Sequence, residues 1–199
     1  MSKNNKTVDR IQAVWNKLGG EEGVDRLLNG ETMIVAVDLT KKIWNKIKLG
    51  TFKNIGEIRK ILKKSNVNVS DWASDILGRV ILSDKEEEFD LVNVSPAELG
   101  LKGNVSRKEV YNQAIINGLE LCPAEVGPLA VLQFGSQFKG VEWFVIAMKP
   151  VTDSDGDQGE FSVRRYSGGE LWLDIDYGGD LGPIWDNDRR LVFIRPKSK

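Results

Sequence analysis

The sequence predicts an α+β fold: a helical N-terminal region with a short strand pair, followed by a C-terminal antiparallel β-sheet. Three observations carry this. Helix caps and apolar residues at helical spacing dominate as far as Gly118. Beyond Leu119 the period shortens to alternation, in short runs rich in β-branched and aromatic residues. The two patterns are segregated along the chain rather than interleaved, which favours α+β over α/β. The expected organisation is a mainly helical region over 1–83 and a helix followed by a β-rich region over 91–199, or a single compact domain spanning both.

The elements follow in order. Residues 1–6 lack an apolar core and read as a frayed tail. Thr7 caps a helix with Val8, Ile11, Trp15 and Leu18 at helical spacing, stopped by Gly19-Gly20. Glu21 and Glu22 open a second helix that ends at Asn29-Gly30. The apolar run Met33 to Val37 reads as a buried strand, and residues 43–49 alternate as a second. Asn54 with Glu57, and then Ser70, are N-caps of two further helices, the second with Trp72 on its inward stripe. Residues 84–90, Asp84-Lys85-Glu86-Glu87-Glu88-Phe89-Asp90, form a charged run expected to be a solvated loop or a linker. Ser95-Pro96-Ala97-Glu98 and Ser106-Arg107-Lys108-Glu109 each combine a cap with a Glu three residues on, and each has a hydrophobic staple. The helix from Ser106 is expected to bury Val110, Tyr111, Ala114 and Ile115. Strands are expected over 131–134, 142–148, 160–165, 171–177 and 190–194.

Composition limits the chemistry. The 199 residues carry a net charge of −1, so no global field draws the chain to nucleic acid or membrane. No apolar run approaches the roughly 18 residues of a membrane span, so no membrane partner is expected. The sequence has no histidine and one cysteine, Cys122. That excludes Ser-His-Asp and Cys-His catalysis and the common zinc sites. A single cysteine fits a reducing, cytoplasmic setting.

The runs Gly118-Leu119-Glu120-Leu121-Cys122-Pro123-Ala124-Glu125-Val126-Gly127-Pro128, Ser70-Asp71-Trp72-Ala73, Val94-Ser95-Pro96-Ala97-Glu98-Leu99-Gly100, Ile146-Ala147-Met148 and Leu191-Val192-Phe193 together resemble a group of uncharacterised bacterial proteins. The resemblance spans nearly the whole chain. It implies a bacterial origin and brings no activity, substrate or catalytic residue.

Several clusters stand as candidate sites beside plainer readings. Cys122, before Pro123, reads as a buried small hydrophobe rather than a nucleophile. The loop Asp153 to Glu160 crowds four carboxylates, but the EF-hand order fails at Gln158 and Arg164, so no metal is assigned. The helix–Gly-Gly–helix at 8–29 reads as a helical hairpin, because Glu21, Glu22 and Asp25 would repel phosphates. Asp174 and Asp176, with Trp172, share one face of a strand and form a ligand face, against the reading of an ordinary solvated face. Residues 41–64 hold nine basic residues against one acid, a local +8, with Trp44 and Phe52 interleaved. Lys41, Lys42, Lys46, Lys48, Lys60, Lys63 and Lys64 are the candidate nucleic-acid contacts.

The function that follows is a non-catalytic bacterial binding module with a protein partner. Nucleic-acid binding through 41–64 and a carboxylate-dependent hydrolase built on Asp174 and Asp176 are the alternatives. No cofactor and no catalytic residue are assigned.

The complete capping box at Ser106 generates a stability test. Ser106→Ala is expected to lower unfolding free energy by about 0.5–2 kcal/mol, measured as a shifted denaturant midpoint.

Overall fold

The computed structural model describes residues 11–12, 14–15, 20–29, 39, 42–140, 142–177 and 184–197. The chain divides into two units, residues 1–37 and 38–199. In the first, residues 11–12 and 14–15 are helical, and helix α1 (Glu21–Leu28) follows Gly20, whose φ of +80° suits glycine. Glu21 and Glu22 occupy its first turn and Arg26 its last, each complementing the helix dipole. Ile11 and Trp15 are exposed among the described residues rather than forming a buried stripe. The strand expected at Met33 to Val37 lies outside the described residues.

The second unit is built on one eight-stranded sheet. Its strands are β1 (Asn45–Leu49), β2 (Val67–Val69), β3 (Glu87–Val94), β5 (Glu142–Ile146), β6 (Val151–Thr152), β7 (Gln158–Arg165), β8 (Leu171–Tyr177) and β10 (Arg190–Arg195). Strands β4 (Val105–Ser106) and β9 (Ile184–Trp185) form a separate two-stranded ribbon. The helices are α2 (Ile55–Lys64), α3 (Asp71–Leu77), α4 (Arg107–Ile116) and α5 (Val126–Phe134). The sheet order is β1-β3-β10-β5-β7-β8-β2, with β6 on β7. Strands from 45–69 and from 142–195 therefore share one sheet. The sheet is mixed, not purely antiparallel as expected: β10 runs parallel to β5, and β2 parallel to β8. The last strand, β10, enters between β3 and β5, antiparallel to the first and parallel to the second.

Two further expectations are corrected. The charged run 84–90 is neither linker nor plain loop, since its second half begins β3. Glu86, Glu87, Glu88 and Asp90 lie against basic partners there. Residues 131–134 are not a strand but the end of α5. An apolar run enclosed on every side shows no period, and Val126, Gly127, Pro128, Leu129, Ala130, Val131 and Phe134 are all buried. The Ser95–Glu98 box does form, with the Ser95 N–H donating to Glu98 Oε2 (2.8 Å) and the Glu98 N–H to Ser95 Oγ (3.3 Å). It closes one turn only, because the chain turns left-handed at Gly100, φ +86°. Of the other expected caps, Asn54, Ser70 and Ser106 accept from the N–H groups of Glu57, Ala73 and Glu109, and Thr7 lies outside the described residues.

The sheet separates two cores. On one face Ile47, Leu49, Leu91, Val192, Ile194, Phe144, Ile146, Phe161, Val163, Leu173 and Ile175 meet α2, α3 and α5. Helix α5 contacts β1 at one end of the sheet and β7 and β8 toward the other, so the sheet curls round it. Just before α5, the buried Glu125 carboxylate accepts the Gly50 N–H (2.9 Å) and the Ser83 N–H (2.8 Å), tying two loops to the helix start. Near its end, the Gln133 amide accepts the Lys48 N–H (3.2 Å) and donates to the Lys48 carbonyl (2.8 Å) along the β1 edge. On the opposite face Val92, Val94, Leu191, Phe193 and Val145 pack with Val110, Tyr111 and Ala114 of α4 and with Trp185. Ile115, expected inside, is exposed, and so is Trp72, whose ring meets Tyr177 edge-on.

Helix α5 approaches the sheet through glycine. A Cβ at Gly127 would lie 2.5 Å from the Phe161 ring, and one at Gly135 would lie 2.7 Å from Leu171. Gly→Ala inside a helix ordinarily stabilises by roughly 0.5–1 kcal/mol. Here the sign should reverse: Gly127→Ala is expected to cost about 1–3 kcal/mol through overpacking, read from equilibrium denaturation.

Candidate functional site

The second face of the sheet changes character between β5 and β7. Alternation places Trp143 and Val145 on this face of β5, Glu160, Ser162 and Arg164 on β7, and Trp172, Asp174 and Asp176 on β8. Register sets Glu160 opposite Asp176, Ser162 opposite Asp174 and Arg164 opposite Trp172. The apolar floor under α4 thus gives way to a row of charged and hydroxyl groups.

The covering elements are positioned by local chemistry. The Ser106 box starts α4 so that Arg107 stands in its first turn and Tyr111 one turn on. The β4–β9 ribbon pairs Val105 with Trp185, which brings the indole over Tyr111 with ring centroids 6.2 Å apart. Arg107 donates to Glu160 Oε1 at 2.8 Å, and Glu160 is wholly buried. Arg164 faces Asp174 at 3.5 Å, and Asp174 also accepts the Ile175 N–H. The Arg164 and Arg189 guanidiniums lie 4.3 and 3.5 Å from the centre of the Trp143 ring.

Burial raises Glu160 from an ordinary 4.5 to about 7, although Arg107 and the nearby Tyr111 hydroxyl pull it down. Burial also raises Asp176, against the pull of Arg189, Arg164 and the Trp185 indole N–H. Burial and the Glu160 charge raise Tyr111 well above its usual value. Seven buried side-chain polar atoms of this region complete no well-formed hydrogen bond among the described residues: Ser162 Oγ and Asn187 Oδ1, and five that face a charged or polar neighbour without good geometry, namely Tyr111 OH and Glu160 Oε2, Trp185 Nε1 and Asp176 Oδ2, and Arg164 Nε, 3.5 Å from Asp174. Buried polar groups are ordinarily satisfied, so their concentration marks this face.

Of the residues expected from sequence, Trp172, Asp174 and Asp176 lie together here, half-buried. Glu160, Arg107, Tyr111, Arg164, Trp143 and Arg189 were not expected. One signal was available for two of them: the strand at 160–165 alternates Glu160 and Arg164 against Phe161 and Val163, as 172–176 does. Arg107 and Tyr111 come from a helix whose docking no local pattern reveals.

The basic candidates separate. Lys41 lies outside the described residues. Lys42 pairs with Glu98, Lys46 with Glu88 (3.1 Å) and Asp90 (3.7 Å), and Lys48 with Glu86 (3.5 Å). The hydrogen bond to Glu88 holds Lys46 above its usual pKa. Burial would raise Glu98, yet Lys42, the Ser95 N–H and Arg190 bring it down to about 2. Lys60, Lys63 and Lys64 are exposed on α2. Ile47 and Leu49 share the α2 core, so Lys46 and Lys48 point to the other face of the sheet from α2. The +8 segment therefore does not assemble one patch.

Cys122 is buried, its thiol is pushed well up by burial, and it lies 3.4 Å from the Val192 carbonyl. In the acidic loop, Asp153 Oδ1 accepts the Asp155 and Asp157 N–H groups, which makes that carboxylate part of the turn. Among the described residues, no cluster of three His, Cys, Asp or Glu could hold a metal ion, and no helix is long and apolar enough to cross a membrane. No family model matches the chain, and neither a curated protein nor a solved structure matches it.

The Glu160 shift sets a pH dependence. Between its ordinary 4.5 and about 7, the folded chain holds a proton that the unfolded chain has released. Stability from this group is thus complete below the lower value and is lost as pH rises through the upper one. The melting temperature should decline across that window, and Glu160→Gln should remove the decline, as measured by thermal denaturation in matched buffers.

Proposed function

We propose that this chain is a non-catalytic binding module whose ligand surface is the β5–β7–β8 part of the second sheet face, with Trp143, Trp172, Asp174 and Asp176 at it. The observation that carries the reading is the gathering there of buried polar groups whose hydrogen bonds are incompletely made, Ser162 and Asn187 among them. A fold gains nothing from leaving such groups unmatched, whereas a ligand that completes them gains both affinity and selectivity. The non-catalytic part is supported by the burial of Cys122 and by the engagement of Asp174 with Arg164. A protein partner would meet the same face through its polar side chains. The proposed setting is the bacterial cytoplasm, on the sequence grounds given above, and the kinship with bacterial proteins carrying the 118–128 motif likewise rests on sequence.

One observation favours a second reading. A buried carboxyl with a pKa near 7 suits general acid–base work, so a hydrolase would use Glu160 beside Asp176 rather than Asp174 with Asp176. Nucleic-acid binding has less support, because its β1 lysines already face carboxylates and, of the candidate contacts described, Lys60, Lys63 and Lys64 alone stay exposed without an ion pair.

The six tryptophan indole N–H signals of nitrogen-15-labelled protein provide the test. Titrated polar small molecules that bind should shift the Trp143, Trp172 and Trp185 signals and leave Trp44 in place. Perturbation confined to other residues would overturn the reading. Conversion of a titrant, abolished in Glu160→Gln, would replace it with the acid–base alternative.

A further inference from the structure

A cavity of about 180 Å³ opens beside this face, lined by Trp143, Asp186, Asp188, Arg189 and Arg190. We propose that it takes a neutral polyhydroxylated ligand, a monosaccharide or the end unit of a sugar chain. The inference rests on the binding-module reading and names the ligand class of that site.

Size comes first. At roughly 30 Å³ per water molecule, the cavity holds about six waters, which suits one small ring rather than an extended polymer or a drug-sized molecule. Charge comes next. The Arg190 guanidinium is already engaged by the Asn93 side chain, the Asn93 carbonyl and Glu98. Arg189 stacks on Trp143 and is drawn electrostatically to Asp176 and Asp186. An anionic ligand would therefore find no uncommitted cation. A cationic ligand would meet the two guanidiniums as well as the Asp186 and Asp188 carboxylates, so the lining, with two charges of each sign, gives it little net attraction. A neutral ligand leaves this balance undisturbed and leaves no charge unpaired.

Hydrogen-bonding capacity then selects hydroxyl groups. Asp186 and Asp188 are exposed carboxylates that only accept, whereas the Arg189 guanidinium only donates. Donors and acceptors are mixed within one wall, and a hydroxyl serves both. Two vicinal hydroxyls match a carboxylate with its two oxygens. Trp143, 40% exposed, supplies an apolar edge for the C–H surface of a sugar ring.

Saturation-transfer NMR and calorimetry on the full chain would use D-glucose, D-galactose, N-acetyl-D-glucosamine and myo-inositol, with L-glutamate and L-lysine as charged comparisons. The expected result is saturable low-millimolar binding of at least one neutral compound, with a shifted Trp143 indole signal. Asp188→Ala should weaken it at least tenfold without changing the melting temperature, and Trp143→Phe should weaken it less. Absence of saturable binding by all four neutral compounds would overturn the ligand class. Binding of glutamate or lysine instead, lost in Asp188→Ala, would overturn it too while leaving the binding-module reading intact. Sugar binding unaffected by either substitution would remove this cavity as the site. If no titrant of any charge shifts an indole signal, both readings fall together.

Discussion

The approach of α5 to strands β7 and β8 is the constraint from which the rest follows. Two positions without a Cβ, Gly127 and Gly135, let the helix lie almost in contact with Phe161 and Leu171. A sheet whose strands must close on one thin helix has to curl, and curling brings β1 near the same helix that β8 touches. The strand face turned away from α5 is then fixed by alternation. Glu160, Ser162 and Arg164 point to the second face, under α4 and the β4–β9 ribbon, because Phe161 and Val163 are claimed by the α5 side. The polar face and its raised carboxyls are thus a downstream consequence of a packing requirement on the other side of the sheet.

The 118–128 run makes physical sense in this light. Cys122 fills the core, Glu125 ties the loops at Gly50 and Ser83 to the helix start, and Gly127 sets the close approach. The run is an assembly device for the core and sits apart from the candidate ligand face.

Much of the architecture was legible because its causes are local. Caps at Asn54, Ser70 and Ser106 and the strand at 171–177 depend on neighbours within a few residues. Helix α5 was misread because complete enclosure erases the periodicity that distinguishes helix from strand. The charged run at 84–90 was misread for the converse reason: its balancing bases are 42 residues earlier for Glu88 and 110 later for Glu87, so the pairing is invisible until β1, β3 and β10 are side by side. The same geometry dissolved the basic segment, since lysines close in sequence were sent to opposite faces by a strand and a helix. Trp172, Asp174 and Asp176 were found by alternation alone, whereas Arg107 and Tyr111 reach the site from a separate helix.

The Gln133 amide has a consequence beyond fastening α5 to β1. By accepting from the Lys48 N–H and donating to the Lys48 carbonyl, it imitates one residue of an added strand. The terminal strand of a sheet is otherwise a template on which another chain can extend the ladder. Here that template is occupied at Lys48, near its end, by a side chain from the molecule's own core helix. A neighbouring molecule seeking to extend the sheet at β1 would first have to displace an internal contact.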